Sequence, residues 1–537
     1  MTNMHWDPNE TASRQEQFIL GRLTRNGKLY AFLRAHRLRI FDDAFQKELE
    51  GMYRDTGAGK PPIAPAFMAM VVLLQSYAGA SDATAVELSL LDLRWQLVLG
   101  CLGATEPLFS QGALYGFRQR LIAADLDRRL LERTREVAFE TKAFDPKKLP
   151  KALRVAMDSS PLEGAGRVED TINLLGHAGR KIVACAAALL QCCAEQVCRE
   201  AGCPLLLGSS TKASLDLDWG DPDEKAKAVP MLIEQLTKLE RWVALRLPQQ
   251  MKDPPLDEHL DTLRQIIHQD LEPDPHGGGM KIKQEVAKDR RVSVEDKDMR
   301  HGRKTKSKRF NGYKRHLAVD LDTLLILSVA VLPANLPEEQ AAPRLARDIA
   351  SQGLRIGALH IDRGYINAPL VDEIIRRRGR VVCRPWVARN GKNFSKRAFQ
   401  LNVRDRTITC PAGEVQPIVF GRAVTFPAKS CAACPLRAKC TDGRMNCGRS
   451  VSIAEDEVLQ QGLHELAETA SGRRQLRERI PIEHRQAHTC RRQGRKARYR
   501  GCRKNLFDLR RAAAVTNLQL IQRCLAENGN KDLANAA

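Results

Sequence analysis

Hydrophobic and polar positions change their period along this 537-residue chain. From residue 13 to 150 apolar residues recur at three- and four-residue spacing, in FMAMVVLLQSYAG and again in DATAVELSLLDLRWQLVLGCLG. That spacing predicts an all-helical segment. Ser81 and Asp82 stand where a cap for the second of these helices belongs. A further predicted helix, QGALYGFRQRLIAADLDRRLLERTREVAFETK, carries an exposed basic face. Such a face suits a DNA groove, although a helical cap that only packs on the core would show the same periodicity.

An apolar run, LRVAMD, then predicts a strand over 153–158 that ends in Asp158. About 120 residues of helical pattern follow. Within them Leu232, Leu236, Leu239, Val243 and Leu247 share one face, and the stretch closes in the linker LEPDPHGGG. Next the period drops to two. NGYKRHLAVDLD and TLLILSVAVLPA predict two strands joined by a short turn. The helix PEEQAAPRLARDIASQG has acidic residues in its first turn and Gly353 near its end. The strand RIGALHID ends in Asp362, and the helix APLVDEIIRRRG and the strand RVVCRP come after it. A late helix carries Glu483. Proline is tolerated only in a helix's first turn, so that helix is expected to restart near Pro481 with Glu483 in its first turn. Strands alternating with helices in this order indicate an α/β layer fold.

The charge changes the picture through its placement. The chain carries a formal +22, and two segments hold nearly all of the excess. Residues 281–316 have 14 Lys+Arg against 5 Asp+Glu, and residues 471–511 have 15 against 3. Both flank the acidic candidates rather than forming a tail, which points to a polyanion and best to nucleic acid. The polar, acidic N-terminus MTNMHWDPNETASRQ has neither the basic start nor the apolar centre of a signal peptide, and no apolar stretch reaches bilayer length. A cytoplasmic protein is expected.

Two aspartates at strand ends and a glutamate on a later helix can meet at one point, because loops gather at strand ends in open sheets. Three carboxylates form a hard-oxygen set suited to a pair of Mg²⁺ (or Mn²⁺) ions, one activating the attacking oxygen and one stabilising the leaving oxygen. On this reading Asp158, Asp362 and Glu483 are the catalytic and metal-holding residues. Lys304, Lys306, Lys308, Arg309 and Lys314 are placed to lie along a DNA backbone, as are Arg495, Lys496, Arg498, Arg500, Arg503 and Lys504. Tyr499 and Trp386 offer aromatic faces either for an unpaired base or for core packing. His316 and His360 fall in predicted strands and read as core histidines.

These motifs together resemble bacterial insertion-sequence transposases. AMDSSPLEG, ALHIDRGY and RERIPIEHRQAH followed by GRKARYRGCRKN carry the resemblance, and PPIAPAFMAMVVLLQ…LDLRWQLVLG is similar to the helical N-terminal domain of the group. KSKRFNGYKRHLAVD is similar to the second core strand, and PANLPEEQAA to the loop and helix after the third. The resemblance implies an RNase-H-like core and a DDE triad of Asp158, Asp362 and Glu483. It also implies double-stranded DNA (transposon ends and target) as substrate and a homodimer acting on DNA. Arg479 matches the arginine three residues before the glutamate in the family's last-helix signature, and so counts among the DNA-contacting residues. The signature's tyrosine and lysine positions are here Leu476 and Cys490.

The implied layout has a helical DNA-binding or dimerisation domain over 1–150 and an RNase-H-like mixed-sheet core over 151–164 and 281–400. A helical insertion spans 165–280, expected to cover the active site or to mediate dimer contacts. A cysteine-containing insertion spans 401–465, and the C-terminal part of the core spans 466–537.

Of 15 cysteines, those in KIVACAAALLQCCAEQVCREAGC read as small apolar residues of one buried helix. Cys410, Cys431, Cys434 and Cys440 read as ligands of a structural Zn²⁺, because CxxC places two thiolates on one tight turn, and Cys447 is a substitute ligand. Two other readings stay open at this point: a catalytically inactive, DNA-binding derivative acting as a repressor, and an RNase-H-like nuclease of repair or RNA processing.

Overall fold

The computed structural model describes residues 4–53, 62–275, 277, 279–305, 307–387 and 389–536. Lys306, expected on the DNA backbone, lies outside the described residues. The fold is mixed α/β. Its centre is a six-stranded sheet, with strands β1 (Leu153–Glu163), β2 (Arg300–Arg303), β3 (Arg309–Asp320), β4 (Ile326–Pro333), β5 (Ile356–His360) and β6 (Arg380–Val382). β3 lies antiparallel to β1 along one edge and to β2 and β4 along the other. β5 runs parallel to β1, and β6 parallel to β5.

β1 is longer than its apolar pattern predicts. SSPLE looks like a loop in sequence, but Asp158 through Glu163 continue the ladder against Leu317 through Gly312. The approach is close at the far end. Gly312 has φ +151°, and a Cβ there would lie 2.2 Å from the Leu162 carbonyl. Asp158 is therefore a mid-strand residue. Pairing with β5 stops at Ala156, so this edge of β1 is open where Asp158 stands.

Helices flank the sheet: α1 (Ala342–Ala350), α2 (Pro369–Arg376), α3 (Ile480–Gln493) and α4 (Cys502–Ala536). Between Arg14 and Glu140 the regular elements are helical, as the periodicity predicts, and Ser81 accepts the Thr84 amide as the expected cap. The apolar helix Pro65–Ala78 is buried along nearly its whole length.

Two expected helices are each broken. Asp92 ends one (Asp82–Leu91) and caps the next (Leu93–Leu99), and Asp125 adopts a left-handed conformation between Gln111–Ala123 and Leu126–Glu140. The expected basic face is neutralised as well. Arg129 pairs with Glu48, Glu132 and Glu136, and Arg133 with Asp42, Glu136 and Glu140.

One hydrophobic core runs through these helices, the sheet and α4. The Asn517 side chain on α4 ties them together. It donates to Thr134 Oγ1 and to the Ile326 carbonyl, each at 2.9 Å, and its oxygen accepts the Ile326 amide. Two smaller cores lie apart. One fills the insertion after β1, where Leu232, Leu236, Leu239, Val243 and Leu247 are all buried. The cysteine-rich stretch there is two helices, Thr171–Leu190 and Ala194–Ala201, separated by a left-handed Gln191. Cys198 and Cys203 are buried, while Cys193 is exposed. The other small core, around Phe399, Ile408 and Phe426, fills the cysteine-containing insertion. Among the described residues no single helix is long and apolar enough to cross a membrane.

His316 and His360 are core histidines. Burial pushes the His316 imidazole down to about 3 and that of His360 down to about 4. His316 Nδ1 lies 2.7 Å from the Tyr365 hydroxyl. The unfolded chain takes up this proton below the ordinary 6.5, but the folded chain does so only near 3. The stability that His316 confers by staying neutral is therefore lost as pH falls from 6.5. Between about pH 6 and 5 the wild type is expected to lose up to about 1.4 kcal/mol per pH unit more than His316→Gln. Urea unfolding at both values checks this, and equal slopes in the two proteins would refute it.

Candidate active site

Asp158, Asp362 and Glu483 line one cleft of about 440 Å³. Asp158 arrives from β1, behind the fully buried Val155, Ala156 and Met157. Asp362 sits two residues past β5 and caps a short turn, its Oδ1 accepting the Gly364 amide at 3.0 Å. Glu483 is exposed in the first turn of α3, whose second residue is Pro481, as expected from the proline rule.

Arg479 joins the two aspartates. Its Nη2 lies 2.7 Å from Asp158 Oδ1 and 3.8 Å from Asp362 Oδ2. One guanidinium thus spans carboxylates separated by about 200 residues of sequence. Asp158 Oδ1 also accepts the Ser159 amide at 2.9 Å. Burial raises the Asp158 carboxyl above its usual range, the Arg479 charge opposes this, and the carboxylates of Asp362 and Glu483 add to the rise.

The cleft holds a fourth carboxylate that sequence reasoning missed. Glu338 follows β4 and accepts the Ser159 hydroxyl proton. Burial and the charges of Asp362 and Asp158 raise its carboxyl. In the sequence it looked like an acidic residue favouring a helix's first turn, and nothing in that local pattern singles it out.

The opposite charge is close by. Arg303, Lys304 and Lys314 line the same cleft. Lys308 and Arg309 are exposed on the β2–β3 hairpin, and Arg495, Lys496 and Lys504 are exposed near the far end of β1 and the start of α4. Three of the expected DNA contacts also have partners within the chain. Arg498 donates to the carbonyls of Ala80 and Gly79, Arg500 pairs with Glu295, and Arg503 pairs with Asp127 at 2.6 Å and with Asp125. Acidic groups and helix-end carbonyls stand within reach of each, which local charge counting does not register.

The two departures from the last-helix signature also find places. Leu476 borders a smaller pocket with Asp362 and Glu483, and the Cys490 thiol lies 3.2 Å from the Ser160 hydroxyl. Trp386 is 51% exposed with the Arg363 guanidinium 4.9 Å from its ring centre, so it is not a core residue. Tyr499 is partly buried and packs edge-on against Phe507. Among the described residues of the 165–280 insertion, none borders the cleft directly.

Cys410, Cys431, Cys434 and Cys440 surround one cavity of about 260 Å³, and Cys447 stands outside it, exposed. Burial, together with the other three thiols, pushes the Cys440 thiol up. The Arg449 amide points at Cys431 Sγ at 3.5 Å. Among the described residues, no three His, Cys, Asp or Glu side chains converge tightly enough to hold an ion as they stand, here or in the cleft.

The donor chemistry nevertheless fits metals at both places. The cleft offers only hard carboxylate oxygens, and a guanidinium already occupies the position between two of them as a stand-in cation. The cavity offers four thiols.

Acidic residues at one opening of the sheet with basic residues around it form an arrangement suited to a polyanion. Two family models make this specific. Residues 286–518 match a transposase DDE domain, and residues 27–120 match a transposase domain. The chain belongs to the insertion-sequence DDE transposases. No curated protein and no solved structure matches it. The DDE match contains Asp362 and Glu483 and begins beyond Asp158, which the fold brings to the same cleft.

Proposed function

We propose that this transposase hydrolyses a phosphodiester at the ends of its insertion sequence and then directs the freed 3′-hydroxyl onto target DNA. The observation that carries the reading is the convergence of Asp158, Asp362 and Glu483 in one cleft, with a cation bridging the two aspartates. An RNase-H-like core is supported by the strand pattern, in which a three-stranded antiparallel meander (β1, β3, β4) is followed by two strands parallel to β1.

Asp158, Asp362 and Glu483 would hold Mg²⁺ or Mn²⁺, which when bound supplies activation of the attacking oxygen and stabilisation of the leaving one. The chain's own residues do the rest. Lys304 and Lys314 place phosphate charge at the cleft, while Lys308, Arg309, Arg495, Lys496 and Lys504 extend the cationic surface along a duplex. Arg479, beside both aspartates, would add a guanidinium for phosphate at the cleft. A homodimer on DNA follows from the need to process two ends together.

The test is cleavage and joining of a labelled DNA carrying the element's own ends, with Mg²⁺ or EDTA. Joined, metal-dependent products are expected. Cleavage without joining would favour the nuclease reading, and binding without cleavage would favour the inactive repressor.

For the cysteine insertion we propose a structural zinc ion held by Cys410, Cys431, Cys434 and Cys440. The support is that the four thiols share a cavity in a segment with a small core of its own. The purified chain is expected to contain about one zinc, lost in Cys431→Ser with Cys434→Ser. A zinc-free wild type with the same melting temperature in EDTA would refute it.

A further inference from the structure

We propose that Glu338 is a fourth carboxylate of the cleft, holding a divalent cation together with Asp158 and Asp362. The proposal rests on the metal-dependent reading above and adds a residue outside the three-carboxylate set.

The argument is one of placement. Glu338 lies at the start of the turn that follows β4, a segment distinct from the strand, turn and helix that carry Asp158, Asp362 and Glu483. Its two oxygens reach the neighbours of both aspartates. Oε1 accepts from the hydroxyl of Ser159, the residue after Asp158. Oε2 lies over Gly364, two residues after Asp362, so closely that a Cβ on Gly364 would sit 2.3 Å from it. Gly364 thus leaves the space in which the Glu338 carboxylate stands. The side chain is pinned between strand β1 beside Asp158 and the turn after Asp362, and it borders the same cleft.

A purely structural carboxylate in such a place should carry its own counter-charge, because burying unpaired charge is costly. Among the described residues Glu338 forms no ion pair. Arg479 pairs with the aspartates, and Lys314, the nearest ammonium group that acts on Glu338, donates to the Leu336 carbonyl at 2.9 Å. Four carboxylates therefore face one opening, with one guanidinium set between two of them. Arg303, Lys304 and Lys314 line the same cleft, yet among the described residues none pairs with Glu338, so an entering divalent cation meets a carboxylate without an ion-pair partner. Its hydrogen bond to Ser159 on β1 and its close approach to the turn at Gly364 hold it beside both aspartates.

The experiment is Mn²⁺ binding to the full chain, followed through the paramagnetic resonance signal of free Mn²⁺, combined with thermal unfolding in EDTA and in Mn²⁺. Glu338→Gln is expected to weaken Mn²⁺ binding about tenfold or more. In EDTA its melting temperature should equal or exceed that of the wild type, since a like charge has gone, and its Mn²⁺-induced rise should shrink. Ser159→Ala, which removes the anchor and leaves the charge, should weaken binding in the same direction by less.

Unchanged affinity in Glu338→Gln would overturn the proposal. So would a lower melting temperature in EDTA, which would mark the residue as structural. The double variant Asp158→Asn, Asp362→Asn separates the two levels. If it loses Mn²⁺ while Glu338→Gln keeps it, only the role of Glu338 falls. If it binds Mn²⁺ like the wild type, the metal reading of the cleft falls with it.

Discussion

Asp362→Asn is expected to lower metal-dependent strand cleavage by about 10³-fold or more, equivalent to about 4 kcal/mol of transition-state stabilisation. The substitution keeps the shape of the side chain and the oxygen that accepts the Gly364 amide, so the turn after β5 should stay in place. What disappears is the negative charge and one hard-oxygen donor beside Asp158. DNA binding should persist, because the cationic surface of Lys304, Lys308, Arg309, Arg495 and Lys496 is untouched. Cleavage rates on end-labelled DNA and a mobility-shift titration on the same preparation check both halves. Cleavage within about tenfold of the wild type would remove Asp362 from the site.

The largest expected effect on stability lies away from the cleft. Asp127 is 1% exposed at its side chain and takes ion pairs from Arg503 at 2.6 Å and from Arg510 at 3.1 Å. Arg510 is itself 6% exposed. Asp127→Ala leaves two guanidinium groups sharing the more exposed Asp125, which already holds Arg510 at 2.6 Å. Breaking a buried pair from one side costs about 3–5 kcal/mol, and the help from Asp125 places this variant near about 3 kcal/mol. Urea unfolding gives the value. A loss below about 1 kcal/mol would show that these pairs are as weak as surface ones.

The three carboxylates that share the cleft were legible because each is tied to a strong local signal: an apolar run ending in aspartate for Asp158 and Asp362, and a proline-started helix for Glu483. The long pairing of β1 was not legible, because the residues after Asp158 are polar and are held in the sheet by β3, which lies about 150 residues away in sequence. Breaks at Asp125 and Gln191 were missed for a related reason. Both adopt left-handed backbone without being glycine, so the sequence carries no glycine flag for the turn. The partners of Arg498, Arg500 and Arg503 lie about 200 to 420 residues away, which charge counting along the chain does not register. Glu338 combines both difficulties, with a plain helix-start context and a role set by distant turns. The cysteine quartet was visible from spacing, whereas the short strands around it, such as Thr407–Thr409 and Ala423–Thr425, have too few residues to show a period.

The seat of α4 has a consequence for synthesis. The helix Leu126–Glu140 makes extensive contact with α4, and Asn517 completes the junction of that helix with β4. Cys502 is about 360 residues beyond Glu140. At about 5–20 residues per second, a ribosome needs about 20–70 s to make that intervening chain. Throughout that interval the N-terminal helices exist without the element that closes their apolar face. The nascent protein thus exposes a helical surface that sticks to other chains, and holding it soluble falls to chaperones until the last helix emerges.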